Sequence, residues 1–195
     1  MRSIAPAARG ARYSPLAMIL HWTMAALILV NWLLPQITDF LARSNVPRII
    51  ALHRSLGVTL LALVLLRAVW RLVSPPPALP GGTAQVIRVA SHIGHAALYL
   101  LMVAVPVFGI LFTWAGGRVL SIWGLVEMAP PAWIDPDLRD TFRGLHAISA
   151  NAILWLVGVH VAAVLVHHYV FKDRLLDRML PARLRTRRPH PSSLI

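Results

Sequence analysis

Two imidazoles, His146 and His160, stand fourteen residues apart in the largely apolar run from Leu145 to Phe171. In a helix that spacing puts them on one face, about 40° apart in azimuth and about 21 Å apart along the axis. Two imidazoles on one face, at two depths of a membrane, predict two stacked cofactor sites. The chain holds nine histidines, and all but His190 lie in or at the ends of apolar runs: His21, His53, His92, His95, His146, His160, His167 and His168. Any one alone reads equally well as an interfacial or helix-packing residue. Ionisable groups in membrane spans are costly and usually functional. Eight of them, with no Asp or Glu inside the runs to build a proton or cation path, point to ligands.

The elements that position these residues follow from composition. Of 195 residues, 57% are hydrophobic and 13% charged, with a mean hydropathy of +0.66. So apolar a chain has too little polar surface to coat a globule, and lipid must cover much of it. Cysteine is absent, which excludes disulfides, iron–sulfur clusters and thiolate-held haem. The net charge of +12 would suggest nucleic acid in a soluble protein. No stacking platform, zinc spacing or RNA-binding signature accompanies it, so no nucleic-acid partner is expected.

The sequence predicts an all-α, integral membrane four-helix bundle forming a single domain over 1–195. Its spans are expected at about 15–35, 48–72, 88–114 and 144–171, with a basic tail over 172–195. Pro15 suits a first helical turn, Pro35 is expected to end the first span, and Pro106 to kink the third. The first run is too long for a cleaved signal peptide and lacks a small-residue cleavage site after it, so it reads as a retained span. Residues 115–143 read as an extramembrane loop with a short interfacial helix around Ser121 to Glu127.

Charge sets the expected orientation. Thirteen of the nineteen Lys and Arg fall in the N-terminal tail, the second loop and the C-terminal tail with their flanks, and six fall in the other two loops. The positive-inside rule then places both termini in the cytoplasm. His53 pairs by depth with His146 near the outer face, and His21 with His160 near the inner. Paired neutral imidazoles on one iron are a standard way to hold haem, whereas zinc wants three or four ligands at one level. Ala25, Gly57 and Ala150, one turn after three of these histidines, leave room for a flat macrocycle. Arg54 and Arg143 are placed for haem propionates on the outer side, and Arg12, Arg71 and Lys172 on the inner. Each also reads as a membrane-edge anchor. His92, His95, His167 and His168 fall at the cytoplasmic edge. His167, seven residues after His160, keeps nearly the same face and suits a quinone beneath the inner pair.

The chain resembles the bacterial cytochrome b561 family. The resemblance rests on Leu20-His21-Trp22, Leu52-His53 with Gly57, His92-Ile-Gly-His95, Gly144-Leu-His146, and Val159-His160 through His167-His168-Tyr169-Val-Phe-Lys172-Asp173. It implies a multi-pass inner-membrane cytochrome with two b haems, one on His21 and His160 and the other on His53 and His146. The superoxide oxidase type of this family implies oxidation of periplasmic superoxide and reduction of ubiquinone, with the quinone near His167. Arg54, Arg139 and Arg143 would form a positive outer funnel for the anion, diluted by Glu127, Asp135, Asp137 and Asp140. Two other readings stay open: a membrane-anchor subunit serving a periplasmic dehydrogenase such as a hydrogenase, and a haem-free transporter or assembly factor.

Overall fold

The computed structural model describes residues 12–77, 84–173 and 175–180. The expected N-terminal tail, most of the Pro-Gly linker and the basic tail beyond residue 180 lie outside the described residues. Four helices dominate: α1 (Pro15–Gln36), α2 (Val46–Val73), α3 (Gln85–Ala115) and α4 (Arg139–Val166). All four are long and apolar enough to cross a membrane. The 28 residues of α2 rise about 42 Å, well beyond a hydrocarbon core of about 30 Å, so its ends reach the headgroup layers.

Local sequence accounts for the helix ends. The Ser14 hydroxyl accepts the Ala17 N–H at 3.3 Å, with Pro15 in the first turn. Pro35 does not end α1. The helix runs one residue past it and tightens into a 3-10 turn over Ile37–Phe40, because a proline removes a hydrogen bond four residues back rather than the turn it sits in. The carbonyl it leaves without a helical partner is that of Asn31.

Consecutive helices pack on each other, α1 on α2, α2 on α3 and α3 on α4. The apolar core is built from Met24, Leu60 and Val64, with Leu27, Ile28, Tyr99 and Met102 against them. These come from α1, α2 and α3 alone. The fourth helix buries only Ile153 fully and packs its backbone mainly on α3. Across the gap between α4 and the α1–α2 pair, His160 faces His21 and His146 faces His53.

The loop before α4 is not an interfacial helix. It forms an antiparallel hairpin of β1 (Leu120–Ile122) and β2 (Val126–Met128), with Ser121 opposite Glu127. Trp123 and Gly124 at the turn have φ of 54° and 69°, left-handed values that suit a hairpin turn and interrupt a helix. The hairpin is clamped to α2. Trp123 N–H donates to Ser55 Oγ at 2.9 Å, and the indole N–H donates to Thr59 Oγ1 at 3.1 Å. Both hydroxyls in turn donate to carbonyls of their own helix.

Ser55 is 4% exposed, so Ser55→Ala strands a backbone N–H. The expected loss is about 1–3 kcal/mol, read as a lower melting temperature in detergent. Faster amide exchange over Leu120–Met128 should accompany it, and unchanged exchange there would separate the hairpin from this clamp.

Candidate functional site

The histidines meet at two levels. Near the hairpin end, the His53 and His146 rings lie 6.0 Å apart between centroids, with planes at 88°. Towards the other end, His21 and His160 lie 6.3 Å apart at 68°. Two metal–nitrogen bonds of about 2 Å, with about 1.1 Å from each nitrogen to its ring centre, span about 6.2 Å. Both pairs therefore have the spacing of imidazoles on opposite sides of one metal ion. Among the described residues no group of three or more His, Asp or Glu is placed to hold a metal ion.

The first pair is held in the tautomer that ligation needs. His53 Nδ1 lies 2.9 Å from the Asn31 carbonyl, and His146 Nδ1 lies 2.8 Å from the Val105 carbonyl. A carbonyl only accepts, so both Nδ1 atoms carry the proton and both Nε2 atoms keep a free lone pair. The Asn31 acceptor is the carbonyl that Pro35 freed from the helix ladder. The His146 ring reaches Val105 by lying against Gly109, where an added Cβ would sit 3.1 Å from it. A proline and a glycine, one on each flanking helix, thus aim the two imidazoles.

The second level holds three imidazoles. His95 was expected at the membrane edge, too shallow for this group, yet its ring lies 5.7 Å from His160. The reason is helix length. α3 begins at Gln85, which puts His95 ten residues, about 15 Å, along the helix. Its Nδ1 lies 2.6 Å from the Ser91 carbonyl, so its Nε2 is also a free lone pair.

The remaining candidates divide. Arg54 is half-buried, with Arg118 as its charged neighbour. Arg143 is exposed, and no ion pair joins it among the described residues. Arg139 bonds Asp140 at 3.2 Å and lies over the Phe112 ring at 5.3 Å, so its charge is largely answered. Arg118, not singled out from sequence, takes its place beside Arg54. His167 lies on a π-helical turn, His167–Phe171, that closes α4. The left-handed Lys172 then brings Asp173 to 2.5 Å from His167 Nδ1. His92 is exposed and bonds the Arg88 carbonyl of its own helix. His168 Nδ1 is buried with no hydrogen-bond partner among the described residues. A lipid-facing cleft of about 330 Å³ between α2 and α3 is lined by His92, His95, Tyr99, Arg71 and Leu72. Sequence reading missed Gly109, Asn31 and Tyr99, which carry no signal until the helices are placed against each other.

Two imidazole pairs at axial spacing in an apolar helical bundle, one of them fixed in tautomer, fit haem b. A family model described as prokaryotic cytochrome b561 matches residues 12–182. The chain is 34% identical over 171 residues to a probable superoxide oxidase, CybB, of Yersinia pestis, covering 87% of this chain and 96% of the relative. It is 34% identical over 177 residues to cytochrome b562 of Cereibacter sphaeroides, covering 88% and 96%. It is 35% identical over 130 residues to cytochrome b561 homolog 2 of Escherichia coli (strain K12), covering 66% and 69%. The chain belongs to the prokaryotic cytochrome b561 family, whose members are multi-pass proteins of the bacterial inner membrane active in electron transfer.

Gly109→Val should push the His146 ring off its carbonyl and lower haem b per chain, measured as the pyridine haemochrome. Gly158→Ala, where an added Cβ meets nothing within 4 Å, should leave haem content at the wild-type value.

Proposed function

We propose that this chain is a di-haem b-type cytochrome that carries electrons across the inner membrane, oxidising periplasmic superoxide to O2 and reducing ubiquinone. The observation that carries this reading is the presence of two imidazole pairs at axial spacing, both sharing α4. Both termini are cytoplasmic in this reading, on the charge distribution, which sets the hairpin end in the periplasm. His53 and His146 hold the outer haem, and His21 and His160 hold the inner one. Haem b, when bound, supplies a one-electron iron couple within an apolar sheath.

The residues around the pairs favour this donor and this acceptor. Arg54 with Arg118, and Arg143 one turn before His146 on α4, present positive charge at the outer end, and a cation cluster raises the local concentration of a small anion. The relative named a probable superoxide oxidase supports superoxide as that anion. At the inner end, the cleft on α2 and α3 opens to lipid, as a membrane-dissolved quinone requires, and its volume suits a small-molecule site. His95 Nε2 there accepts a proton or a hydrogen bond. His167, backed by Asp173 as a metal- or proton-handling imidazole often is, serves as a proton relay for the quinone. Two superoxide anions release two electrons, and the quinone takes these with two protons.

His160→Ala should lose one haem and His53→Ala the other, each variant keeping a single low-spin bis-imidazole signal in electron paramagnetic resonance. Two retained signals in either variant would break the pairing. Quinone reduction driven by a superoxide-generating system should rise on adding the purified protein in nanodiscs. The absence of any stimulation would remove superoxide as donor, and a purified protein without a reduced-minus-oxidised b-type spectrum would remove the haem reading itself.

A further inference from the structure

Arg67 and Arg71 stand one turn apart on α2, inside a helix that crosses the bilayer. Arg67 Nε–H donates to Tyr99 Oη at 3.1 Å, and its Nη1–H donates to the Ala17 carbonyl at 3.0 Å. Arg71 lies over the Tyr99 ring, 6.0 Å from its centroid. Both guanidinium groups line a small cavity of about 20 Å³ with Tyr13, Ala17 and Tyr99. Among the described residues the ion pairs are Arg139–Asp140 and His167–Asp173. Neither arginine therefore has a protein carboxylate among the described residues. A cation in a span without a counter-ion is expensive, and such residues pair or mark a ligand.

The position of Arg67 says which ligand. Its two acceptors each lie one turn from an inner imidazole on the same helix, Ala17 from His21 and Tyr99 from His95. Arg67 is six residues from the end of α2 and His21 six from the start of α1, about 9 Å in each case. Its charge is felt first among neighbouring charges at His21 and His160, and least at His95, where Arg71 comes before it. Arg71, one turn nearer the helix end, is closer to the membrane surface.

We propose that Arg67, oriented by Tyr99 and with Arg71 beside it, binds a carboxylate of the group that the inner imidazoles hold, namely a haem propionate. This rests on the haem reading above. A guanidinium binds carboxylate and phosphate by the same two-pronged geometry, so a lipid phosphate is the competing source of the anion. The depth of Arg67, level with the imidazoles rather than with the headgroups, favours the propionate.

The test uses the full chain, its Arg67→Gln and Arg67→Lys variants, and reconstitution with either haem b or haem b dimethyl ester, followed by optical redox titration. Removing a cation beside a propionate favours the oxidised form. Arg67→Gln should shift the reduction equilibrium of one haem towards oxidation roughly tenfold, about 59 mV for one electron. Arg67→Lys, which keeps the charge, should recover most of it. Affinity of the apo-protein for haem b should also fall several-fold in Arg67→Gln, whereas affinity for the dimethyl ester should be the same in variant and wild type. Wild-type titration and wild-type haem b affinity of Arg67→Gln overturn the proposal. A loss of affinity equally large with the ester also overturns it and assigns the anion to lipid phosphate. A wild-type chain that binds no haem b overturns the underlying haem reading together with it.

Discussion

The interaction on which the bundle depends is the meeting of α4 imidazoles with those of α1 and α2. The core of Met24, Leu60 and Val64 joins the first three helices, and α4 is joined to α3. Across the remaining gap the His21–His160 and His53–His146 pairs stand about 6 Å apart between ring centres. That is too far for one ring nitrogen to bond the other and suited to an ion between them. Apolar packing gives little preference among helix registers in lipid, where the surroundings are as apolar as the core. Axial ligation does give one, because a one-residue slip of α4 would rotate both imidazoles by about 100° away from their partners. On the di-haem reading the feature that supplies the chemistry would therefore also fix the register of the helix that carries it.

Polar groups at the bundle ends reinforce this. Trp123 bonds Ser55 and Thr59, Trp114 bonds the Met128 carbonyl, Trp70 bonds Ser14 and Trp22 bonds the Met179 carbonyl. Tryptophan is favoured where one side is apolar and the other wet. Here its N–H also staples a loop or a terminus to a helix end. The hairpin bonds Ser55 and Thr59, two and six residues after His53 on α2, so the clamp that holds it also braces the stretch of helix that presents that imidazole.

Much of the fold was legible because membrane helices declare themselves by length and apolarity, and the histidines by their rarity in such surroundings. The four helices, the α4 spacing and the juxtaposition of His21 with His160 and His53 with His146 follow from that pattern. The hairpin was not legible. Leu120 to Met128 is too short for periodicity, and its turn depends on Trp123 adopting a left-handed conformation that sequence does not advertise. His95 was misplaced in depth because a helix start estimated a few residues late moves every later residue by several ångströms. Gly109 and Asn31 act through neighbours more than twenty residues away in sequence, so their roles exist only once the helices are packed.

The two levels are not equivalent, and the difference bears on direction. His53 and His146 each give their Nδ1–H to a main-chain carbonyl, which raises the basicity of the ligating nitrogen and favours a ferric iron. Neither His21 nor His160 has a hydrogen bond to its ring among the described residues, and the Arg67 charge lies beside them, which favours the ferrous state. On the di-haem reading both effects lower the potential of the outer level relative to the inner one. Electrons entering at the hairpin end then run downhill towards the cleft beside His95. Arg67, which has no protein carboxylate among the described residues, and the carbonyl freed by Pro35 would thus act together, one at each end of the path, to set its direction.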